Sequence, residues 1–428
     1  MSVLTETSPP PLLRQRNFLL VLVGQAISQF GTAAYQLTVA WTVYQVTSSS
    51  LALGLVLAVN VFAQVVFALV GGVFGDRLPR RRLVILSDTA SALATGILAL
   101  AAAAGQLSLT LIVVVSLVLG AASAFHLTAF RAFLPELVPV SELQRANGLL
   151  SSVFNVATIV GPGVGGALLA ISGPSAVFSL ESATFVVGAV TMFFVRPAAR
   201  PAGQDDEVRE SVLREAREGL RYVLRERWVM ISLVLSMVAN VFCLAPYLVL
   251  LPLVVEQAGG SAQTLGWITG SQAVVTTISA LVIGMLPPFR SQTRVLLLLV
   301  VCLGLGTTLL GLAGDARLLL FLAAAVVGVG LTFDVVEDTL LQTAVPESFM
   351  SRVYSLNVIT SFSLVPIAYV SSGALADAVG AHTVLITGGS SLVVVAVALL
   401  FYAPFHARVN DIVRARAATS LSTNGEVV

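Results

Sequence analysis

The stretch GLTFDVVEDTLLQ (330–342) places three carboxylates, Asp334, Glu337 and Asp338, inside an otherwise apolar run. Their spacing of i, i+3 and i+4 puts all three on one face of a helix. Three acids so close cannot all be ionised cheaply in an apolar medium, and a carboxyl that gains and loses a proton there can carry one. Asp334 lies deepest along the run and is the first choice for a proton-coupling group. In the alternative reading Glu337 and Asp338 are interfacial, with Asp338 paired to Arg131. Glu181, an acid in another apolar run, is the second coupling candidate, unless it only marks an outer interface. A second charged stretch, GGVFGDRLPRRRLVIL (71–86), sets Asp76 and the arginines Arg77, Arg80, Arg81 and Arg82 between two long apolar runs. Asp88, just beyond, is expected to join this arginine network. No nucleophile–base pair, G-x-S-x-G or metal constellation accompanies these groups, so no enzymatic activity is expected. Cys243 and Cys302 sit in apolar runs and read as packing residues. The histidines, His126, His382 and His406, show no spacing with cysteine that would bind a metal. Without G-x-x-x-x-G-K-[ST], ATP is not expected to supply energy. The expected source is a proton gradient, with no cofactor.

The elements that position these groups follow from composition. Of 428 residues 57% are hydrophobic and only 11% charged, against roughly 25% in soluble domains. The mean hydropathy is +0.95. That is too little polar surface to cover a globule in water, so the surrounding solvent is lipid. The net charge of +1 offers nucleic acid nothing to bind. A bilayer core of ~30 Å needs about 20 apolar residues per helix, and twelve such runs lie between 18 and 403, among them 144–172 and 175–195. Only helices satisfy their backbone hydrogen bonds within one such segment. The expected fold is therefore an all-α integral membrane protein with 12 transmembrane helices.

All 23 basic residues are arginine. With the N-terminus inside and the spans alternating, 22 of them fall on the cytoplasmic side and only Arg317 outside, as the positive-inside rule requires. Both termini are thus expected in the cytoplasm. The segment Asp205–Arg227 carries seven acids and six arginines, with Val208, Val212, Ala216, Leu220, Val223 and Leu224 at helical spacing. It reads as an amphipathic helix on the cytoplasmic membrane surface. The organisation is then a tail (1–17), a six-helix bundle (18–196), a linker (197–227), a second six-helix bundle (228–404) and a tail (405–428).

The halves repeat. Pro139, Arg145, Gly166 and Gly173 match Pro346, Arg352, Gly373 and Gly380 at one constant offset of 207. Arg131 and Asp338 stand at the same offset. Six spans per repeat keep the same orientation in both halves, so the repeat axis runs along the membrane normal. Two pseudo-symmetric bundles facing a central cavity suit alternating access. Polar groups within the spans, and so candidates for such a cavity, are Gln25, Gln29 and Gln36 with Tyr35 on span one, His126 on span four, and Asn240 and Tyr247 on span seven. Each is equally readable as a helix–helix hydrogen-bonding group.

Three stretches go further. Residues 72–81 fit the loop motif G-x-x-x-D-R-x-G-R-R through Gly72, Asp76, Arg77, Arg80 and Arg81, with Pro79 in place of the glycine. GPGVGG (161–166) fits a G-P-x-x-G-G core through Gly161, Pro162, Gly165 and Gly166, with Ala157 where a further glycine is usual. Leu134–Asn147 resembles the entry to span five of efflux proteins. On these residues the sequence resembles the major facilitator superfamily, over roughly residues 15–405. Within it, the chain resembles the drug:proton antiporter branch of macrolide-efflux and enterobactin-exporter-like proteins. The resemblance implies the major facilitator fold and a cytoplasmic latch in which Asp76 and its arginines meet the start of span eleven. The plainer reading of the arginines is a topology-setting loop. The span-five glycines serve either as a hinge or seal, or as generic tight packing. The second half keeps only Arg290 and Arg294 in the equivalent loop, so the latch is expected to be one-sided.

The leading expectation is a monomeric exporter of small hydrophobic or amphipathic compounds in the bacterial plasma membrane, driven by proton entry. A dedicated exporter of one natural metabolite, such as a siderophore or antibiotic, is the alternative. A non-transporting receptor or assembly partner is a more remote one. The arginine count makes one prediction at once. A fluorescent protein fused after Val428 will glow and a phosphatase fused there will stay inactive, whereas an active phosphatase fusion would invert the topology.

Overall fold

The computed structural model describes residues 12–75, 79–139, 142–196, 220–286, 289, 291–403, 405–406 and 409. Apart from a 3-10 turn at Leu12–Arg14 and a π-helical segment at Asn240–Leu244, the described elements are α-helices. They run α1 (Arg16–Thr47), α2 (Ser50–Gly75), α3 (Arg80–Ala103), α4 (Leu109–Leu137), α5 (Leu143–Phe194), α6 (Arg227–Ala239), α7 (Ala245–Gln257), α8 (Ala262–Met285), α9 (Gln292–Leu312), α10 (Arg317–Gly330), α11 (Phe333–Ala344), α12 (Glu347–Ser363), α13 (Val365–Val379) and α14 (Ala381–Leu400). Eleven helical stretches among the described residues are long and apolar enough to cross a membrane. One of them, α5, has 52 residues and at about 1.5 Å per residue would be roughly 78 Å long if straight, more than twice a ~30 Å bilayer core. It is broken at Gly173 (φ 75°, ψ 178°) just before Pro174, and so holds the two spans expected at 144–172 and 175–195. Gly380, the repeat partner of Gly173, also has positive φ, at 90°. Only glycine adopts that backbone without strain, so the sequence repeat has a conformational counterpart at the turn before the last span of each half. The exterior is apolar: Ile171, Met285 and Phe401 are each more than 80% exposed, which lipid tolerates and water does not.

The chain forms two compact units, Met1–Thr47 with Val59–Ala202 and Ser48–Ala58 with Gly203–Val428. In the first unit α1 lies along α5, and α3 packs on both α4 and α5. Small residues make this close approach possible. A Cβ built on Gly161 would stand 2.5 Å from Ala33 Cβ, and one on Gly165 would stand 2.7 Å from Ala34 Cα. Pro79 (φ −56°) directly precedes α3, a conformation that suits proline without the freedom of the motif's glycine. Arg80 and Arg81 are already part of the helix. Arg80 donates to Ala132 O at 2.7 Å and pairs with Glu136 at 2.9 Å. Arg81 Nε donates to Met192 O at 3.0 Å, a terminal nitrogen donates to Phe193 O, and the guanidinium lies over the Phe193 ring. These two arginines therefore hold the last carbonyls of α4 and α5, where cations are favoured. Asp76 and Arg77 lie outside the described residues, as does most of the expected amphipathic linker.

In the second unit α9 lies on α14, and Gly304 and Gly389 each have the other's carbonyl oxygen where a Cβ would be, at 2.7 and 2.5 Å. The first turns of α2 belong to this unit because they pack on α13. A Cβ on Gly54 would stand 2.3 Å from Tyr369 O, and one on Gly373 would stand 2.4 Å from Ser50 O. Asp377 closes the contact. Its carboxylate accepts from Ser50 N at 2.9 Å, Leu51 N at 3.2 Å and Ser49 Oγ at 2.7 Å. Ala52 N donates to Ser49 Oγ at 3.2 Å. The free N–H groups at the start of α2 are thus met by an acid from another helix. Asp377→Ala removes that cap and will lower stability by about 1 kcal/mol, read as a lower Tm of the detergent-solubilised protein. An unchanged Tm would mean that water replaces the carboxylate without loss.

Candidate functional site

Two carboxyls buried within the helices are each held by hydroxyls. Glu337 on α11 is 3% exposed. It accepts from Ser232 Oγ at 2.8 Å and from Ser236 Oγ at 2.5 Å, one bond to each oxygen. Ser232 and Ser236 are one helical turn apart on α6, so they present both donors to one point. Glu181 on α5 is 1% exposed. It accepts from Thr32 Oγ1 at 3.0 Å and Thr184 Oγ1 at 3.2 Å. A Cβ on Gly31 would stand 2.4 Å from its Oε2, so the missing side chain on α1 makes room for the carboxyl. Among the described residues neither acid has an ion-pair partner. Hydroxyl donors stabilise a carboxylate without a fixed positive charge, and such a group can accept a proton without stranding a cation.

Local structure explains where the second-unit acids sit. The expected tenth span is interrupted: α10 ends at Gly330, and α11 starts at Phe333. Asp334 therefore lies in the first turn of a new helix, where a negative charge is favoured. The sequence ranks Asp334 first by its depth along the span. Packing instead encloses Glu337 and leaves Asp334 exposed. Asp338, half-buried, accepts from the Tyr354 hydroxyl at 3.4 Å. The expected seventh span is also irregular, passing through a π-helical segment, Asn240–Leu244, between α6 and α7. Such bulges recur at functional sites. Asn240, at its start, donates to Ser236 O at 3.0 Å, so the bulge adjoins the serine that holds Glu337. Tyr247 is buried and donates to Gln272 Oε1 on α8 at 2.6 Å.

In the first unit the polar residues of α1 separate. Gln25 is buried and faces His126, Gln29 is half-buried and Gln36 exposed. Tyr35 is buried with its ring 5.7 Å from Phe178. Asp88 does not join the arginine network. Its Oδ1 accepts from His126 Nδ1 on α4 at 2.7 Å. The reason is register: Arg80 and Arg81 point to the last turns of α4 and α5, while Asp88, two turns further along α3, turns inward. Gly161, Gly165 and Gly166 are buried in α5, and Gly72 lies near the end of α2. Sequence reasoning missed Thr32, Ser232, Ser236 and Gln272. Ser232 and Ser236 carried a signal, hydroxyls at i and i+4 in an apolar span, but their partner is more than 100 residues away.

This geometry defines a class first: a multi-pass helical membrane protein of the major facilitator fold. A crystal structure of a mutant of the nucleoside transporter NupG superimposes with a TM-score of 0.74 at 15% identity, covering 90% of this chain and 100% of that one. The chain belongs to the transmembrane secretion effector family, which it matches over residues 7–419. It is similar to macrolide efflux protein A of Streptococcus pyogenes, at 24% identity over 89% of this chain and 94% of that protein. It is likewise similar to the multidrug efflux pump Tap of Mycolicibacterium fortuitum, at 25% identity over 93% and 97%. The resemblance seen in the motifs is thus one of whole chains. The protein is an efflux-type transporter of small molecules within the major facilitator superfamily.

The packing around Glu337 makes a prediction. Ser236→Ala leaves a buried carboxyl short of a donor and will cost about 1–3 kcal/mol, seen as a lower Tm. Adding Glu337→Leu will recover most of the loss, because no buried acid then needs a donor. A Tm that falls further in the double variant would show that the serine matters for packing alone.

Proposed function

We propose that this protein exports small hydrophobic or amphipathic compounds, macrolides among them, in exchange for protons. It works as a monomer in the bacterial plasma membrane, with both termini in the cytoplasm. One observation carries the exchange mechanism: carboxyls enclosed by hydroxyls and without an ion-pair partner among the described residues, Glu337 between Ser232 and Ser236 above all. In this reading Asp334, exposed at the start of α11, meets the proton, and Glu337 holds it. Asp338, tied to Tyr354, borders the cluster. Glu181 is the corresponding enclosed acid of the first unit. The cargo class rests on the named activities of the efflux relatives and on cavity candidates without a fixed charge, such as Gln29, Gln36 and Asn240. The Gly72–Arg81 motif serves as the latch in this reading, with Arg80 and Arg81 anchoring its far side to α4 and α5.

Inverted membrane vesicles test this directly. Wild-type vesicles will accumulate erythromycin and several unrelated hydrophobic dyes, and collapsing the pH gradient will abolish it. Glu337→Gln and Asp334→Asn will each reduce gradient-driven accumulation about tenfold or more, the range of ordinary coupling free energies. Accumulation that survives gradient collapse would rule out proton exchange. If no compound moves although the protein is folded and inserted, a dedicated exporter of one natural metabolite replaces the broad one. If both variants transport normally, the acids of α11 are structural.

A further inference from the structure

The first unit contains a polar constellation separate from the enclosed glutamates. Asp88 on α3 is 2% exposed. Its Oδ1 accepts from His126 Nδ1 at 2.7 Å. Its other oxygen faces Gly188 on α5, where a Cβ would stand 3.0 Å away. On the far side of the ring, His126 Nε2 lies 3.3 Å from Gln25 Nε2 on α1. The imidazole is stacked against Phe130, with centroids 5.7 Å apart and an interplanar angle of 17°. The His126 side chain is 21% exposed and that of Asp88 only 3%. The histidine is therefore the accessible member of the pair.

The hydrogen bonds select one tautomer of the neutral ring. With Nδ1–H committed to Asp88, a neutral ring carries its lone pair on Nε2, and Gln25 donates an amide N–H to it. This pair has a net charge of −1. A proton arriving at Nε2 makes the ring a cation beside the carboxylate, and the pair becomes neutral overall. Nε2 then bears a hydrogen, so Gln25 must turn its amide and present Oε1 instead. A single proton on a single atom thus removes a buried net charge, which is costly in a membrane interior, and reverses a hydrogen bond to α1.

Among the described residues no other charged group makes a hydrogen bond or ion pair with this pair. From α1 it is faced by Gln25 and, beyond Gly188, by Ser28. From α5 it is faced by Gly188, with Glu181 about two turns away. Along α3 the nearest charges are Arg80, Arg81 and Arg82, also about two turns away, and Arg80 and Arg81 are bound to α4 and α5. On α4, Arg131 and Glu136 lie toward the helix end, with Glu136 paired to Arg80. Through Gln64, α2 brings an amide to Ser123, one turn before His126.

We propose that Asp88, His126 and Gln25 form a proton-loading site of this transporter. His126 Nε2 takes the proton from water on one side of the membrane and returns it on the other. Asp88 holds the imidazolium, and Gln25 acts as the positioning residue that passes the change to α1. The proposal deepens the proton-exchange reading above and rests on it.

Full-length protein in liposomes separates the possibilities, with radiolabelled erythromycin as the probe. Two rates are measured: accumulation driven by a pH gradient, and exchange of labelled for unlabelled probe without a gradient. His126→Gln and Asp88→Asn will lower driven accumulation about tenfold or more while exchange falls far less. A merely structural role would lower both together. If wild type is gradient-driven and both variants are equally so, the triad is overturned and the proton-exchange reading stands. If wild type itself ignores the gradient, both fall. A measurement on the wild-type protein guards against variants that fail to fold. Nitrogen NMR of protein labelled in its three histidines, with His126 identified by exclusion using His382→Gln and His406→Gln, will show both a singly and a doubly protonated His126 ring as the medium is made more acid. A ring that never gains the second proton while the protein stays folded overturns the proposal.

Discussion

Every feature of this protein depends on one constraint: in lipid, no water is available to satisfy a backbone N–H or C=O. That leaves helices as the spanning elements. It also removes the hydrophobic effect as a force between helices, because lipid tails are as apolar as leucine. Close packing must take its place. Gly161 and Gly165 against α1, Gly304 against Gly389, and Gly54 with Gly373 where α2 meets α13 are the contacts that provide it. In each, a backbone or a small side chain occupies the space a larger residue would need. Where a helix end lacks internal partners, a side chain from another helix supplies them, as Asp377 does for α2 and Arg81 for α5.

The same constraint shapes the chemistry. An acid inside such a bundle needs donors, and those chosen here are mostly hydroxyls and one imidazole rather than arginines. An arginine partner would hold a carboxylate permanently ionised and would be stranded if the acid became neutral. Serine and threonine hydroxyls serve either state, since each can donate or accept. Arg80 and Arg81 instead stand near helix ends, where they meet backbone carbonyls. This division of labour sets hydroxyl-held acids inside and arginine-held carbonyls at the ends, so the frame does not depend on ion pairs to the two enclosed glutamates.

Much of this was legible beforehand. Long apolar runs, arginine asymmetry and the 207-residue repeat announced a twelve-span, two-bundle fold, because hydropathy, charge and duplication are linear properties of a chain. The Gly173–Pro174 break was legible for the same reason, since glycine and proline interrupt a helix locally. The partner of each buried acid was not. Glu337 meets serines more than 100 positions earlier, and Asp88 meets a histidine 38 positions later. Proximity to Arg80–Arg82 in sequence suggested the wrong partner for Asp88, since rotation about the axis of α3 separates residues that are close in number. Gln25, Gln29 and Gln36 are alike as cavity candidates in the sequence, yet of the three only Gln25 is buried, and it faces a histidine.

The amino-acid sequence by itself determined the solvent, the secondary structure, the number of spans and the family, since each follows from which residues occur and at what period. Tertiary structure alone decided which acids are enclosed, which are exposed and what holds each. Those outcomes depend on how helices distant in sequence rotate and approach, and that is settled by the fit of small residues against one another across the bundle.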